Sequence, residues 1–341
     1  MPPHGLIPGR PTRGISALHR QSLSKKRIHD PAKLHNVLFY AGKNPVLKVK
    51  GKEHHLQPVQ EPAVPLAAHS ALNASLLNLI KKYEAYYSKI IFGLPIDIGK
   101  YLSIGVDHRS SQTAVRDQGN RGTCVAHASM AAMESAYKRG GKVKDLSEND
   151  AYNVFMATEA SDCLVDPGIQ TWKAGGYLTS KHVCTEAQEP YVVPKGNAAC
   201  KTVPAACSSH RVHGFSSTTT FFASAFGGTG THLATNTAFL ESLLNTGHDV
   251  VLGIYVAGND WNDGTSESGV VDVERDSSGN PAPAYGGHAM LLVGYNASKG
   301  YFIFKNSWGA TRGHLGYFYL SYEYLQTYAK YGFVVLGVTP A

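Results

Sequence analysis

The sequence predicts an α+β fold in two lobes, a helical one followed by a strand-rich one. Three observations carry this. Helical periodicity dominates from Cys124 to Val183, and short β-branched and aromatic runs dominate from about Phe221. Helices first and strands later indicate segregated layers, not alternating βα units. Between the N-terminal region and the first helix, "RDQGNRGTCVAHASMAAMES" passes from a glycine-broken loop straight into a cysteine heading an alanine-rich helix.

The elements follow in order. "CVAHASMAAMESAYKR" reads as a helix closed by Gly140-Gly141. "LSENDAYNVFMATEA" is a second, with Ser147 as N-cap, and "IQTWKAGGYLTSKHV" a third, weakened by Gly175 and Gly176. "TAFLESLLNTG" adds a helix before the strands "DVVLGIYVA", "HAMLLVGYN", "GYFIFKNSW" and "GYFYLSY". Gly/Ser/Thr-rich stretches around 196–235 and 258–284 read as loop material. No apolar run reaches the roughly 18 residues of a membrane span.

Upstream lies a different texture. Residues 1–60 hold eleven Lys/Arg against Asp30 and Glu53, whereas the whole chain of 341 residues has a net charge of +7. The basic character therefore belongs to the tail, and a nucleic-acid or membrane contact through it has weak support. Residues 1–66 read as a basic, largely disordered arm with a short strand at "VLFYAG" or "PVLKVKG". Residues 67–100 hold an amphipathic helix: Leu72, Leu76, Leu79, Ile80, Tyr83, Tyr87 and Ile90 share one face, with Ser70 as N-cap and "FGLP" as terminator. The catalytic domain is expected over 101–341, with the helix 70–91 packed on it.

The chemistry centres on Cys124. A thiol is a weak nucleophile until ionised, and a helix N-terminus or a neighbouring imidazolium lowers its pKa. Gly119 and Gly122 permit the tight approach to the helix, and Gln118 brings an amide N–H that, with the Cys124 main-chain N–H, would meet a developing oxyanion. In "YGGHAMLLVGYN", His288 heads a strand after two glycines; in "YFIFKNSWG", Asn306 ends the next strand, where its carbonyl would orient the imidazole, and Trp308 would shield that bond. His127, one turn beyond Cys124, is a rival base. Among the other histidines no metal-ligand spacing is found, and no metal or cofactor is expected.

These blocks, "VDHRSSQTAVRDQG", "QGNRGTC", "LSE", "GGHAMLLVGY" and "KNSWG", resemble the papain-like cysteine peptidases in order and spacing from about 106 to 335. The resemblance implies a papain-like fold and peptide-bond hydrolysis through an acyl-enzyme. It implies Cys124 as nucleophile, His288 as acid/base, Asn306 as orienter and Gln118 in the oxyanion hole. It also implies Gly168 and Gly287 as positions offering backbone to an extended polypeptide substrate. Two departures stand out: Arg121 replaces a loop cysteine of the family, and Val125 replaces the aromatic residue after the nucleophile. The arm resembles a zymogen propeptide in length but lacks the usual Glu/Arg/Phe/Asn helix pattern.

Five cysteines, Cys124 plus Cys163, Cys184, Cys200 and Cys207, leave four for two disulfides if the nucleophile stays free. Cys200 and Cys207, close together in a loop-like stretch, are one pairing; the connectivity is open. Disulfides would place the protein outside the cell, secreted or delivered, although "MPPHGLIPGRPTRG" lacks signal-peptide features. The chain is expected to act as a monomer. Peptide ligation on the same residues, and a non-catalytic binding module on the same fold, are the competing functional readings.

Overall fold

Eight of the strands form one sheet, and the helices cover its two faces. A computed structural model of the chain describes residues 27–28, 37–38, 46–49, 52–57, 105–159, 166–193, 204–223, 233–261 and 268–340. The amphipathic segment 70–91, Cys163 and Cys200 lie outside the described residues. In chain order the principal elements are β1 (Val46–Val49), β2 (Lys52–His55), β3 (Gly105–Asp107), α1 (Cys124–Arg139), α2 (Glu148–Glu159), α3 (Thr171–Ser180), β4 (Phe215–Phe222), α4 (Thr237–Asn245), β5 (Val250–Ala257), β6 (Val270–Val271), β7 (Ala284–Asn296), β8 (Tyr301–Lys305), β9 (Tyr317–Ser321), α5 (Tyr322–Tyr328) and β10 (Ala329–Val338). The sheet runs β4-β10-β5-β7-β8-β9-β6, with β3 added to β7. Its pairings are antiparallel except that of β6 with β9.

The unbroken apolar look of "HAMLLVGY" has a simple cause: both faces of β7 are buried. Ala289, Leu291 and Val293 point into the core shared with α1–α3, while Met290 and Leu292 point into the opposite core, with α4 and α5. On β8, Tyr301 and Ile303 face the first core and Phe302 and Phe304 the second. The alanines of α1 allow that helix to lie close against the sheet, so it is buried on nearly every side. Cys124 at its N-terminus is thereby held beside β7.

Helix starts follow the sequence signals. Ser147 caps α2, its Oγ accepting from the Asp150 N–H at 3.0 Å, and Asn236 caps α4 through the Phe239 N–H at 3.1 Å. Asp249 pins the chain entering the domain: its carboxylate takes hydrogen bonds from His108 (2.7 Å), Gln112 (3.0 Å), Ser135 (2.6 Å) and Arg139 (2.9 Å). These bonds, led against the cost of burial, hold its pKa below the usual carboxylate value.

Three readings need correction. Cys207 pairs with Cys184, not with Cys200. The one-turn helix Ala205–Ser208 sets the Cys207 side chain inward against Cys184, and both are fully buried. Residues 215–222, inside the stretch 196–235 read as loop, form β4. "FSSTTTFF" looks polar, yet threonine is β-branched and the strand is fixed by pairing with β10. β10 itself, "AKYGFVVLGV", carries no flanking turn signal in the sequence and was not among the expected strands; it follows α5 directly.

The disulfide closes a sequence separation of 23 residues. Its loss in Cys184→Ser is expected to destabilise the domain by about 3 kcal/mol, the loop-entropy value for that size. Calorimetry of the oxidised wild type, the reduced wild type and the variant checks this: the latter two should melt together, several degrees lower.

Candidate active site

The loop before α1 is built to present a sulfur. Gly119 is left-handed (φ 59°), and the Asp117 carboxylate accepts its N–H at 3.0 Å. Thr123 occupies the cap position but its hydroxyl bonds the Tyr191 hydroxyl (2.7 Å) instead of the helix start. The first-turn N–H of Val125 is thus left to the Cys124 sulfur, which also receives the N–H of Ala289. Burial nonetheless pushes the Cys124 thiol up to about 11.

Ala289 follows His288, so the bond to the sulfur brings the imidazole's own strand against the nucleophile. His288 Nε2 lies 2.8 Å from Asn306 Oδ1. That oxygen also accepts the Ser307 N–H at 2.8 Å, which identifies it as the carbonyl of the amide. Nε2 must then carry the proton, and Nδ1, buried and without a hydrogen bond, is the bare, basic nitrogen of the neutral ring. Burial lowers the His288 pKa to about 4, against the raising effect of Asn306. Trp308, fully buried, stacks on the imidazole at 4.7 Å and keeps water from the His288–Asn306 bond.

Gln118 is fixed from three sides. Its Oε1 accepts the Ser307 hydroxyl (2.6 Å), its Nε2 donates to the Arg121 carbonyl (2.9 Å), and its main-chain N–H donates to the Ser307 carbonyl (2.8 Å). An amide nitrogen has two hydrogens, and the bond to Arg121 uses one of them. Arg121, where the family has a cysteine, makes a non-covalent staple. Its Nη1 donates to Asn149 Oδ1 (2.6 Å) and the Val192 carbonyl (3.0 Å), and its guanidinium lies over the rings of Tyr152 (5.3 Å) and Tyr191 (5.2 Å). The Asp166 carboxylate completes the cradle, accepting from the Gly122 N–H (2.8 Å) and the Tyr152 hydroxyl (2.5 Å). A side chain at Gly122 would press on Asp166 and on the Gly168 N, which explains the glycine.

His127 is not placed to serve as a base. It is buried on α1, its Nδ1 is tied to the Thr123 carbonyl (3.0 Å), and its ring packs edge-on against Tyr191. His314 is exposed.

The chief surprise is what covers the site. The arm strands β1 and β2 pair antiparallel, and just past β2 Gln57 bridges to Gly287, the neighbour of His288. Gln57 and Gly287 exchange two main-chain hydrogen bonds of 2.7 Å each, and the Gln57 side-chain amide bonds the Ile169 carbonyl next to Gly168. His54, wholly buried, stacks on Trp308 at 4.5 Å, so Trp308 has an imidazole on each side of it within 4.7 Å. Lys52 bonds Asp117 at 2.8 Å at the rim, and Leu47 and Leu56 join the core. Thus Gly168 and Gly287, picked from the sequence as substrate-facing, flank the arm. The arm's composition hid this, because basic and Pro/Gly-rich segments read as unstructured when the surface they pair with is out of view.

Residues 102–330 match the family model described as "Papain family cysteine protease". The chain belongs to that family. Two curated relatives are gamete and mating-type specific protein A of Dictyostelium discoideum, 30% identical over 63% of this chain and 42% of its own length, and ananain of Ananas comosus, 25% identical over 69% of this chain and 60% of its own. The chain thus spans about half the length of these relatives. Among solved structures, xylellain, a cysteine protease from Xylella fastidiosa, superposes with a TM-score of 0.54 at 24% identity, covering 71% of this chain and 89% of that one, a likeness of fold. Within the family's frame, the Arg121 staple stands where a disulfide cysteine was expected. No helix among the described residues is long and apolar enough to cross a membrane.

Proposed function

We propose that this protein is a cysteine peptidase held latent by its own N-terminal arm. The observation that carries the reading is the pairing of a neutral His288, Nε2–H on Asn306 and Nδ1 bare, with a sulfur bound by the very next main-chain N–H of the same strand. Nδ1 takes the thiol proton, and the thiolate attacks the scissile carbonyl. The oxyanion meets the second Gln118 amide N–H and the Cys124 main-chain N–H. The imidazolium returns its proton to the leaving amine, and water, deprotonated by the same nitrogen, cleaves the thioester. Asn306 keeps the ring in register through both halves.

The test is alkylation of Cys124 at about pH 5.5, read by mass spectrometry, in the full chain with its arm loosened by His54→Ala and Gln57→Pro, with and without His288→Ala. A fast reaction confined to Cys124 and lost in the variant fits the reading, while indifference to His288 would remove it. Turnover with an added amine acceptor separates hydrolysis from ligation by its products. The buried Cys184–Cys207 disulfide supports an oxidising destination outside the cell.

Latency should be pH-sensitive. With the arm docked, His54 is lowered to about 3 by burial first and then by the positive charges of Arg312 and Lys52 and by the neighbouring His288 imidazole, with Asp117 opposing, and His288 is lowered to about 4 by burial. Uncovered imidazoles bind protons near 6.5. Between those values the open state holds more protons than the closed one, so closure weakens as the pH falls below 6.5 and is unaffected above it. Each such proton contributes up to about 1.4 kcal/mol per pH unit. Limited proteolysis of the arm against pH should show protection at pH 7–8 that declines toward pH 4.5, with a flatter profile in His54→Phe.

A further inference from the structure

Away from the site described above, four chemistry-bearing side chains lie together. Asp150 on α2, Cys184 on the segment after α3, Glu189 beyond it and Cys207 on the one-turn helix Ala205–Ser208 each offer one atom to a group whose atoms all lie within 4.8 Å of one another. All four residues are buried, Asp150 and both cysteines at 0% exposed and Glu189 at 3%. They come from separate segments, so no spacing in the sequence announces them. Nothing in the proposed reaction uses them.

The carboxylates are held as metal ligands are. Glu189 Oε1 accepts the side-chain amides of Asn149 and Asn153, both at 2.9 Å, while Oε2 is buried and has no hydrogen-bond partner among the described residues. A buried carboxylate oxygen without a partner is costly, and a bound cation relieves that cost. Asp150 accepts the Cys184 N–H at 3.0 Å and the Arg211 guanidinium, whose Nε stands 3.0 and 3.1 Å from its two oxygens. A carboxylate has about four lone-pair sites, so it can still bind a metal. Asn149, Asn153 and Arg211 supply the supporting hydrogen bonds that orient ligating carboxylates in metal sites.

In the oxidised chain the two sulfurs are bonded to each other. A dithiol reductant frees them: it gives two electrons and two protons, the S–S bond breaks, and the reductant closes into its own disulfide. A zinc ion then replaces the two thiol protons. Thiolates and carboxylates are both zinc ligands, and bonds of about 2.0–2.3 Å to a tetrahedral ion set the ligand atoms about 3.3–3.8 Å apart, within the present spread of the group. The soft sulfurs favour zinc over calcium or magnesium.

We propose that reduction of the Cys184–Cys207 disulfide opens a zinc site whose ligands are the two thiolates, Asp150 and Glu189. The same residues then clamp α2 to the segments at 184–189 and 205–208 in either redox state, through a metal where thiols are kept reduced and through the disulfide where they are not. The inference is independent of the peptidase reading.

The experiment uses the full chain with Cys124→Ser, Cys163→Ser and Cys200→Ser, so that Cys184 and Cys207 are its remaining thiols. The probe is Co²⁺, read by its thiolate charge-transfer and tetrahedral d–d absorption, with Zn²⁺ as competitor. The reduced chain should bind one equivalent with both signatures and release it to Zn²⁺, and the oxidised chain should show neither. Glu189→Gln should weaken binding by about 10–100-fold or more, since a lost supporting residue alone costs that much. In metal-free buffer the reduced chain should melt several degrees below the oxidised one, and Zn²⁺ should recover most of the difference, but none of it after Cys207→Ser. The two redox forms of one chain are compared without changing a ligand, so a variant that fails to fold leaves the test intact. Equal Co²⁺ binding in both redox forms, no thiolate band in the reduced chain, a reduced chain that stays unfolded with Zn²⁺ present, or unchanged affinity in Glu189→Gln overturns the inference.

Discussion

Replacing His288 with alanine is expected to lower kcat/KM by about 10²–10⁴-fold, the range for a lost general acid/base. The geometry argues for the upper part of that range. In its buried site the thiol is held near 11, so without Nδ1 to take its proton almost none is ionised at neutral pH. The loss should be in kcat, since the imidazole binds no part of the substrate's ground state. The fold should survive: Asn306 Oδ1 keeps the Ser307 N–H, and Trp308 stays packed against Trp261 and Phe318. Asn306→Ala should be milder, because the ring remains but loses its orienter. The measurement is kcat/KM on a fluorogenic peptide with circular dichroism as the folding control. A folded His288→Ala within threefold of wild type would sink the assignment.

The second large effect is a gain. The double variant His54→Ala, Gln57→Pro should raise the initial rate of the full chain by roughly a hundredfold. Proline removes the Gln57 N–H that binds Gly287, and the substitution also removes the side-chain amide that binds Ile169. Alanine removes the ring stacked on Trp308. Three interactions of about 1 kcal/mol each give about 3 kcal/mol, or two decades in the closed-to-open ratio. None of these residues contributes to the proposed chemistry, so the rise should vanish on prior removal of the arm. Cys124 alkylation should accelerate in parallel, since opening the cleft rehydrates a thiol and an imidazole that burial now holds in their neutral forms. An unchanged rate in the double variant would mean that residues 46–57 are an integral part of the domain and not a cover.

Much of the site was legible in the chain because its chemistry is local. A helix-heading cysteine, a Gln six residues earlier, a His opening one strand and an Asn closing the next are each tied to an element boundary, and boundaries leave marks in Gly, Ser and β-branched residues. The helices α1, α2 and α4 and the strands β5, β7, β8 and β9 follow from period and caps alone. What remained hidden depends on partners remote in sequence. β4 is polar in composition and becomes a strand by pairing with β10, more than a hundred residues on. Cys184 meets Cys207 because a one-turn helix aims one sulfur at the other, and spacing cannot express an aim. Arg121 takes over the work of a missing cysteine only because two tyrosines and Asn149 converge on it.

The sequence by itself thus determined the α+β class and supplied the candidate residues for the proposed site, since these follow from short-range periodicity and from side-chain types at element ends. Only the tertiary structure decided that arm residue Gln57 bridges to Gly287 beside the site and that burial raises the thiol pKa and lowers the imidazole pKa there. Those are properties of surfaces brought together over long separations in the chain, and desolvation and register come into being only when the surfaces meet.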